Sequence, residues 1–238
     1  MVHKYSDRIY YSDFDEVSDR PVLGYVAGNR YGILIDAGSS PRHINAFLQE
    51  IYGFGLRKPD FVILTHSHWD HTYGLCALDI PAICNSLTYE LLKKDSEKIW
   101  DREHFEKYKK SGSIEPFIYE HMEIEYPDIS EVSIRLPDMI YTGSFTVDLG
   151  DLTVEAYQVA NAHSKDGSVI LVKEEKVLFV GDSFYTELVG DDWVDHPDLV
   201  REYHKALEKL DFDRVFPAHS ENISKEEMFA ELTERGNA

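Results

Sequence analysis

The segment LTHSHWDHTYG, Leu64 to Gly74, places His66, His68, Asp70 and His71 within six positions, directly after the apolar run of PDFVIL. Few folds can accept it. Four titratable groups this close are costly to bury as an ordinary core element, and a merely solvated loop has no need of an H-x-H-x-D-H spacing. Imidazole and carboxylate are the donors that suit zinc and other first-row metals. The apolar run reads as a strand buried on both faces, so the crowded loop falls at its carboxyl end, where open α/β sheets carry their ligands. One loop cannot complete two coordination spheres, so further donors are expected just past other strands.

Candidates stand at three later strand ends. His163 follows VEAYQVANA, Asp182 follows KVLFVG, and His219 follows DRVFPA. The remaining histidines (His3, His43, His104, His121, His196 and His204) have no such placement and read as surface residues. Upstream, Pro21 to Gly38 reads as two strands joined by a turn at Gly28-Asn29. A helix follows, capped by Ser40 with Pro41 at its first position; Ile44, Phe47, Leu48 and Ile51 lie on one face. From about 86 to 138 the chain is charge-rich and helical, with Glu103 and Lys107 at a supportive i,i+4 spacing. This insertion carries Trp100, Phe105, Tyr108, Phe117, Tyr119 and Tyr126, which either form a lid over a site, pack the insertion onto the core or form a dimer interface. Strand patterns then resume, with a helix over HPDLVREYHKALEKLD, and Ser224 and Glu227 open a final helix as a capping box.

The length of 238 residues suits a single large domain over 1–238, and a hydrophobic fraction of 43% is enough for a sizeable core. No run of eighteen apolar residues argues for a membrane span, and the start MVHKYSDRIYYSDFDE lacks the pattern of a secretory signal. Cys76 and Cys84 form no C-x-x-C motif and read as reduced thiols, so a cytoplasmic location is expected. The formal net charge of -20, with no dense Lys/Arg run, argues against a nucleic-acid partner. A small-molecule substrate is expected, no membrane partner, and a homodimer is left open.

Taken in order, LIDAG at Asp36, THSHWDH, NAH with its DGS turn, FVGDS and FPAH resemble the metallo-β-lactamase-fold hydrolases, and the resemblance covers nearly the whole chain. It implies an α+β fold: a four-layer αβ/βα sandwich of two mixed sheets face to face, with helices outside, metals at one edge and a helical insertion. It also implies two divalent metal ions, zinc first, with manganese or iron as alternatives. His66, His68 and His163 would hold one and Asp70, His71 and His219 the other, with Asp182 bridging. Asp36 would support the metal loop without binding metal. The implied chemistry is hydrolysis by a hydroxide held between the metals, with Asp70 orienting it or protonating the leaving group.

Within that resemblance the branches separate. β-Lactamases of this fold usually lack an aspartate at the Asp182 position and are exported, the tRNA-processing nucleases carry a basic arm, and glutathione thioesterases have a longer C-terminal extension. Tyr185, three residues after Asp182, matches a tyrosine that faces the substrate carbonyl in the lactone hydrolases of this fold, although a tyrosine packed at a helix start would read the same way. Carbonyl esters or lactones are therefore expected ahead of phosphoesters. A persulfide dioxygenase using one iron is the remaining alternative.

Overall fold

The apolar runs pair into two sheets in the computed structural model, which describes residues 1–237. The first sheet runs in chain order through β1 (Val2–Lys4), β2 (Ile9–Ser12), β3 (Gly24–Ala27), β4 (Gly32–Ile35), β5 (Phe61–Ile63), β6 (Ala82–Asn85) and β7 (Met139–Tyr141). Strands β1 to β4 form an antiparallel meander, and β4 to β7 are parallel. In the second sheet β8 (Ser144–Asp148), β9 (Thr153–Gln158), β10 (Ser168–Val172) and β11 (Val177–Gly181) are antiparallel neighbours. A hairpin of β12 (Glu187–Val189) and β13 (Asp192–Val194) forms a two-stranded unit of its own. The second sheet then continues with β14 (Arg214–Pro217), parallel to β11, and β15 (Ile223–Ser224).

The helices are α1 (Pro41–Gly53), α2 (Trp69–Thr72), α3 (Ser86–Asp95), α4 (Arg102–Ser111), α5 (Pro116–Glu125), α6 (Pro197–Leu207) and α7 (Lys225–Gly236). Ser40 caps α1 by accepting from the His43 backbone N–H, and Ser224 and Glu227 complete both halves of the capping box on α7.

Alternation along the strands explains the layering. Successive side chains leave a strand on opposite faces, and here both faces are apolar. Ile33 and Ile35 of β4 and Ile63 of β5 meet Ile170, Val177 and Phe179 of the second sheet. Their neighbours Leu34 and Val62 turn outward onto Ile44, Phe47 and Ile51 of α1. On the far side Val169, Leu178 and Val215 pack on Val200 and Tyr203 of α6 and Met228 and Leu232 of α7. The result is helix, sheet, sheet, helix, as expected.

The insertion leaves the first sheet at the carboxyl end of β6 and returns to the start of β7. It therefore begins at the same edge as the histidine loop. Glu103 and Lys107 pair at 2.7 Å, and Phe105, Met122 and Tyr126 make a core of their own against Trp69 and Tyr73. Glu125, at the end of α5, is buried and accepts two hydrogen bonds from the Arg20 guanidinium at 2.9 and 3.0 Å. It also accepts from Ser40 Oγ, so one carboxylate joins the insertion to the start of α1 and to the loop before β3.

Two expectations need correction. His43 is buried rather than at the surface: it precedes Ile44 and lies one turn before Phe47 on the apolar face of α1. Its Nδ1 accepts from the Ser39 N–H at 3.2 Å, and burial pushes its pKa down to about 3, so the ring is neutral. The residues around Tyr185 are a turn leading into β12, not a helix start.

The close approach of the histidine loop to the segment after β4 gives a test. A Cβ on Gly74 would come within 2.1 Å of the Ala37 carbonyl oxygen, whereas one on Gly53 would meet nothing within 4 Å. Gly74→Ala is expected to cost about 2–3 kcal/mol in urea unfolding, while Gly53→Ala leaves stability unchanged or raises it by up to about 1 kcal/mol.

Candidate metal centre

The strand directions decide which loops meet. β4 and β5 are parallel, β9 and β11 each lie antiparallel to β10, and β14 is parallel to β11. Asp36, the His66–His71 loop, His163, Asp182 and His219 all follow the carboxyl ends of these strands. A hydrogen bond from the Ser168 N–H to the Thr65 carbonyl, 2.8 Å, joins the two sheets at that edge.

All seven sequence-predicted ligands come together there, as two groups sharing one residue. His66, His68, His163 and Asp182 present donor atoms within 4.8 Å of one another, and so do Asp70, His71, Asp182 and His219. Asp182 Oδ2 lies 3.3 Å from His163 Nε2 and 3.8 Å from His66 Nε2. Its other oxygen, Oδ1, lies 3.3 Å from His71 Nε2 and 3.5 Å from His219 Nε2. Asp70 Oδ2 is 3.1 Å from His71 Nε2 and 3.2 Å from His219 Nε2, and His68 Nδ1 is 3.0 Å from His163 Nε2.

These atoms converge without satisfying one another. His66 Nε2, His71 Nε2 and Asp182 Oδ1 are buried and have no hydrogen-bond partner among the described residues. Buried polar atoms are nearly always paired, and three orphans in one cluster of imidazole and carboxylate donors fit a cation. The donor set suits a divalent metal.

The opposite edges of the rings are held from behind. Asp36 Oδ2 accepts from His71 Nδ1–H and from Thr65 Oγ1–H, each at 2.8 Å, and Oδ1 accepts from the Thr65 N–H at 2.7 Å. Because the Thr65 proton goes to Asp36, its oxygen is left to accept from His66 Nδ1–H at 3.1 Å. One carboxylate thus sets the tautomer of a ring in each group, and the other nitrogen of each ring faces inward. Asp36 itself adopts φ 61°, a left-handed conformation that aspartate tolerates better than most residues. His163 donates from Nδ1 to the Thr186 carbonyl at 2.8 Å. Gly181, at φ 51°, lets Asp182 approach the loop: a Cβ there would sit 2.5 Å from Thr65 Oγ1.

Electrostatics divide the site in two. Burial and the neighbouring His71 and His68 push the His66 pKa well below the usual imidazole value, and burial takes His163 down to about 4. In the other group burial opposes charge on His71 and His219, but carboxylates outweigh it. Asp70, Asp182 and Asp36 hold His71 well above its usual value, and Asp182 and Asp70 raise His219 to about 10. Burial, with the adjacent Asp70, lifts Asp19 to about 7. The second group is a concentration of negative charge that a cation would answer.

Sequence reasoning did not single out Asp19, whose Oδ1 is 3.4 Å from His219 Nδ1. Its loop carries no motif, and tertiary contacts bring it to the site: Arg20 pairs with Glu125, and the Val22 N–H donates to the Ala218 carbonyl at 2.7 Å. Tyr185 lines the cavity above the cluster; its hydroxyl accepts from the His219 N–H at 3.0 Å and shares a hydrogen bond with Ser220 Oγ at 2.9 Å. That cavity, about 580 Å³, is walled by the insertion through Trp100, Ile114, Phe117 and Met122 and by the hairpin through Leu188 and Trp193. The insertion's aromatics therefore divide between lid and core: Trp100 and Phe117 line the cavity, while Phe105 and Tyr126 are core.

If Asp36 sets both rings, Asp36→Ala should weaken metal binding by about 10–100-fold. Competition with a chromogenic chelator measures this, and an unchanged affinity would remove the role from Asp36.

The family model of the metallo-beta-lactamase superfamily matches residues 19–219. The human protein "Acyl-coenzyme A thioesterase MBLAC2" is 24% identical over 237 residues, covering 91% of this chain and 78% of its own. Its Bos taurus counterpart is 23% identical over the same shares. Among solved structures, a metallo-beta-lactamase from Pontibacter korlensis matches with a TM-score of 0.68 at 18% identity, covering 100% of this chain and 99% of its own. The DIM-1 metallo-beta-lactamase matches with a TM-score of 0.68 at 17% identity, covering 100% and 95%. At such identities these structures speak for the fold alone. The order of the strands, the donors at their ends and the family match agree, and the chain belongs to the metallo-beta-lactamase superfamily.

Proposed function

We propose that the protein is a metal-dependent hydrolase of carbonyl esters, lactones and thioesters included, with two divalent metal ions, zinc foremost, as its cofactor. The observation that carries this reading is the buried Asp182 carboxylate, whose two oxygens face two separate sets of imidazoles at the floor of an apolar cavity. His66, His68 and His163 would hold one ion, Asp70, His71 and His219 the other, and Asp182 both. When bound, such ions supply Lewis acidity and a water that ionises near neutral pH.

The chain's own residues do the rest. Asp70 lines the cavity floor, and His71 and His219 outweigh its burial to hold its pKa well below the usual carboxylate range. A carboxylate there is placed to orient the attacking water. The Tyr185 hydroxyl can donate to the oxygen that becomes negative when Ser220 supplies the proton of their shared hydrogen bond. The apolar walls keep bulk water from the reacting carbonyl.

Esters are favoured over phosphodiesters by the walls. Lys94 and Lys98 are offset by Asp95 and Glu115, which leaves no surplus of positive charge for a phosphate beyond the floor itself. The completeness of the second donor group supports two ions rather than the single iron of a persulfide dioxygenase. The thioesterase named among the relatives makes acyl thioesters a natural member of the test panel. A small-molecule substrate and a cytoplasmic location belong to the same reading; among the described residues no helix is long and apolar enough to cross a membrane.

Elemental analysis, followed by p-nitrophenyl acyl esters, lactones, acyl thioesters and p-nitrophenyl phosphodiesters on zinc- and manganese-loaded protein, tests the reading. Turnover of phosphodiesters alone would overturn the ester assignment. His163→Ala and Asp182→Ala should lose metal and at least about 100-fold in activity, whereas His104→Ala, remote from the cluster, should lose neither. Tyr185→Phe should lower ester turnover by about 10–100-fold at unchanged metal content; full turnover would remove the tyrosine from the chemistry.

A further inference from the structure

The hairpin of β12 and β13 has three residues in each strand and pairs only with itself. A two-stranded ribbon of that size is not stable in isolation, so its position depends on what it touches. At its base the Thr186 carbonyl accepts the hydrogen bond from His163 Nδ1–H, 2.8 Å. Glu187 pairs with His196 at 2.6 Å between two exposed side chains. On the second strand, the Trp193 ring meets the Phe117 ring of α5 edge-on, with centroids 5.3 Å apart and planes at 81°. Phe117 is braced in turn by the His121 ring, 4.2 Å away.

Trp193 remains 52% exposed in spite of that contact, and it lines the same cavity as Phe117, Ile118 and Leu188. The cavity is continuous with the His/Asp floor, and its 580 Å³ lies within the range of small-molecule sites. A half-uncovered indole beside a catalytic floor is apolar surface awaiting a partner. The two rings belong to elements that share no sheet, so their contact is held by side chains and not by a hydrogen-bonded ladder.

We propose that Trp193 and Phe117, in contact with each other at the cavity wall, form a clamp that holds an apolar substituent of the scissile ester in the cavity beneath them, and that Trp193 sets selectivity for its length. This rests on the hydrolase reading above. The insertion supplies Phe117, braced by His121, and the hairpin supplies Trp193, with the carbonyl at the floor beneath them.

The test compares p-nitrophenyl acetate, butyrate and hexanoate on metal-loaded wild type, Trp193→Ala and Phe117→Ala. Each methylene drawn into an apolar site strengthens binding by about fourfold, so wild-type kcat/KM should rise along the series. Trp193→Ala should cut the hexanoate-to-acetate ratio by about tenfold, through KM rather than kcat. A parallel series of n-alkyl acetates tells whether the apolar group rides on the acyl or the alcohol side; a rise in either supports the clamp. Phe117→Ala carries the test if Trp193→Ala fails to fold. A flat wild-type profile in both series, or an unchanged or increased ratio in the folded variants, overturns the clamp and leaves the hydrolase reading standing. Should no ester be turned over, that reading fails, and calorimetric titration with octanamide against acetamide decides the clamp separately. Preference for octanamide in wild type that is lost in Trp193→Ala supports it; equal binding of the two amides by wild type overturns it.

Discussion

The molecule is organised around a carboxylate that its own fold leaves unsatisfied. Asp182 Oδ1 is buried without a hydrogen-bond partner, and so are the inward nitrogens of His66 and His71. An orphaned buried polar atom costs about 1–3 kcal/mol, and three of them at one point would be a poor design for stability alone. The surroundings keep them there deliberately. Gly181 permits the close approach of Asp182, and Gly74 lets the histidine loop settle onto the Ala37 carbonyl. Asp36 turns one ring in each donor group toward the centre. These donors are of the kind that a divalent cation would satisfy.

Sharing is the second theme. Asp182 belongs to both donor groups, and Asp36 acts on both, directly on His71 and through Thr65 on His66. Neither group is independent of the other. The charge balance nevertheless differs: imidazoles dominate around His66 and His163, which burial keeps neutral, while Asp70, Asp182 and Asp36 surround His71. Two sites of unlike electrostatic character joined by one carboxylate would hold their ions with unlike affinity.

The substrate end of the site is built from different parts. Sheets and strand ends supply the floor, whereas the walls come from the insertion and the hairpin, both of which leave the sheets at the same edge as the donors. The donor cluster and the cavity walls are thus carried by separate pieces of chain, as is common where one fold serves many chemistries. Glu125 is the joint between them, since it fastens the insertion to the Asp19–Arg20 loop that borders the floor.

Much of this was legible in the amino-acid sequence because the chemistry is local. The H-x-H-x-D-H loop needs no tertiary context to be improbable as anything but a ligand cluster, and single donors after apolar runs repeat the same logic at His163, Asp182 and His219. The apolar run of β5 was legible as a strand buried on both faces, and the layers came with the resemblance of the motifs taken in order. The strands β1, β6 and β7 were not read from the sequence. His43 was misjudged because one polar residue on a helix face says nothing of its burial until a partner such as the Ser39 N–H is in place.

By itself, then, the sequence determined the candidate donors and, through the resemblance carried by its motifs in order, the fold, because side-chain chemistry and the ends of apolar runs are legible along neighbouring residues. Tertiary structure alone decided that Asp19 borders His219, that Asp36 reaches a ring in each group, and that Trp193 meets Phe117. Such contacts join residues far apart in the chain, and their geometry depends on how sheets, insertion and hairpin come to rest against one another.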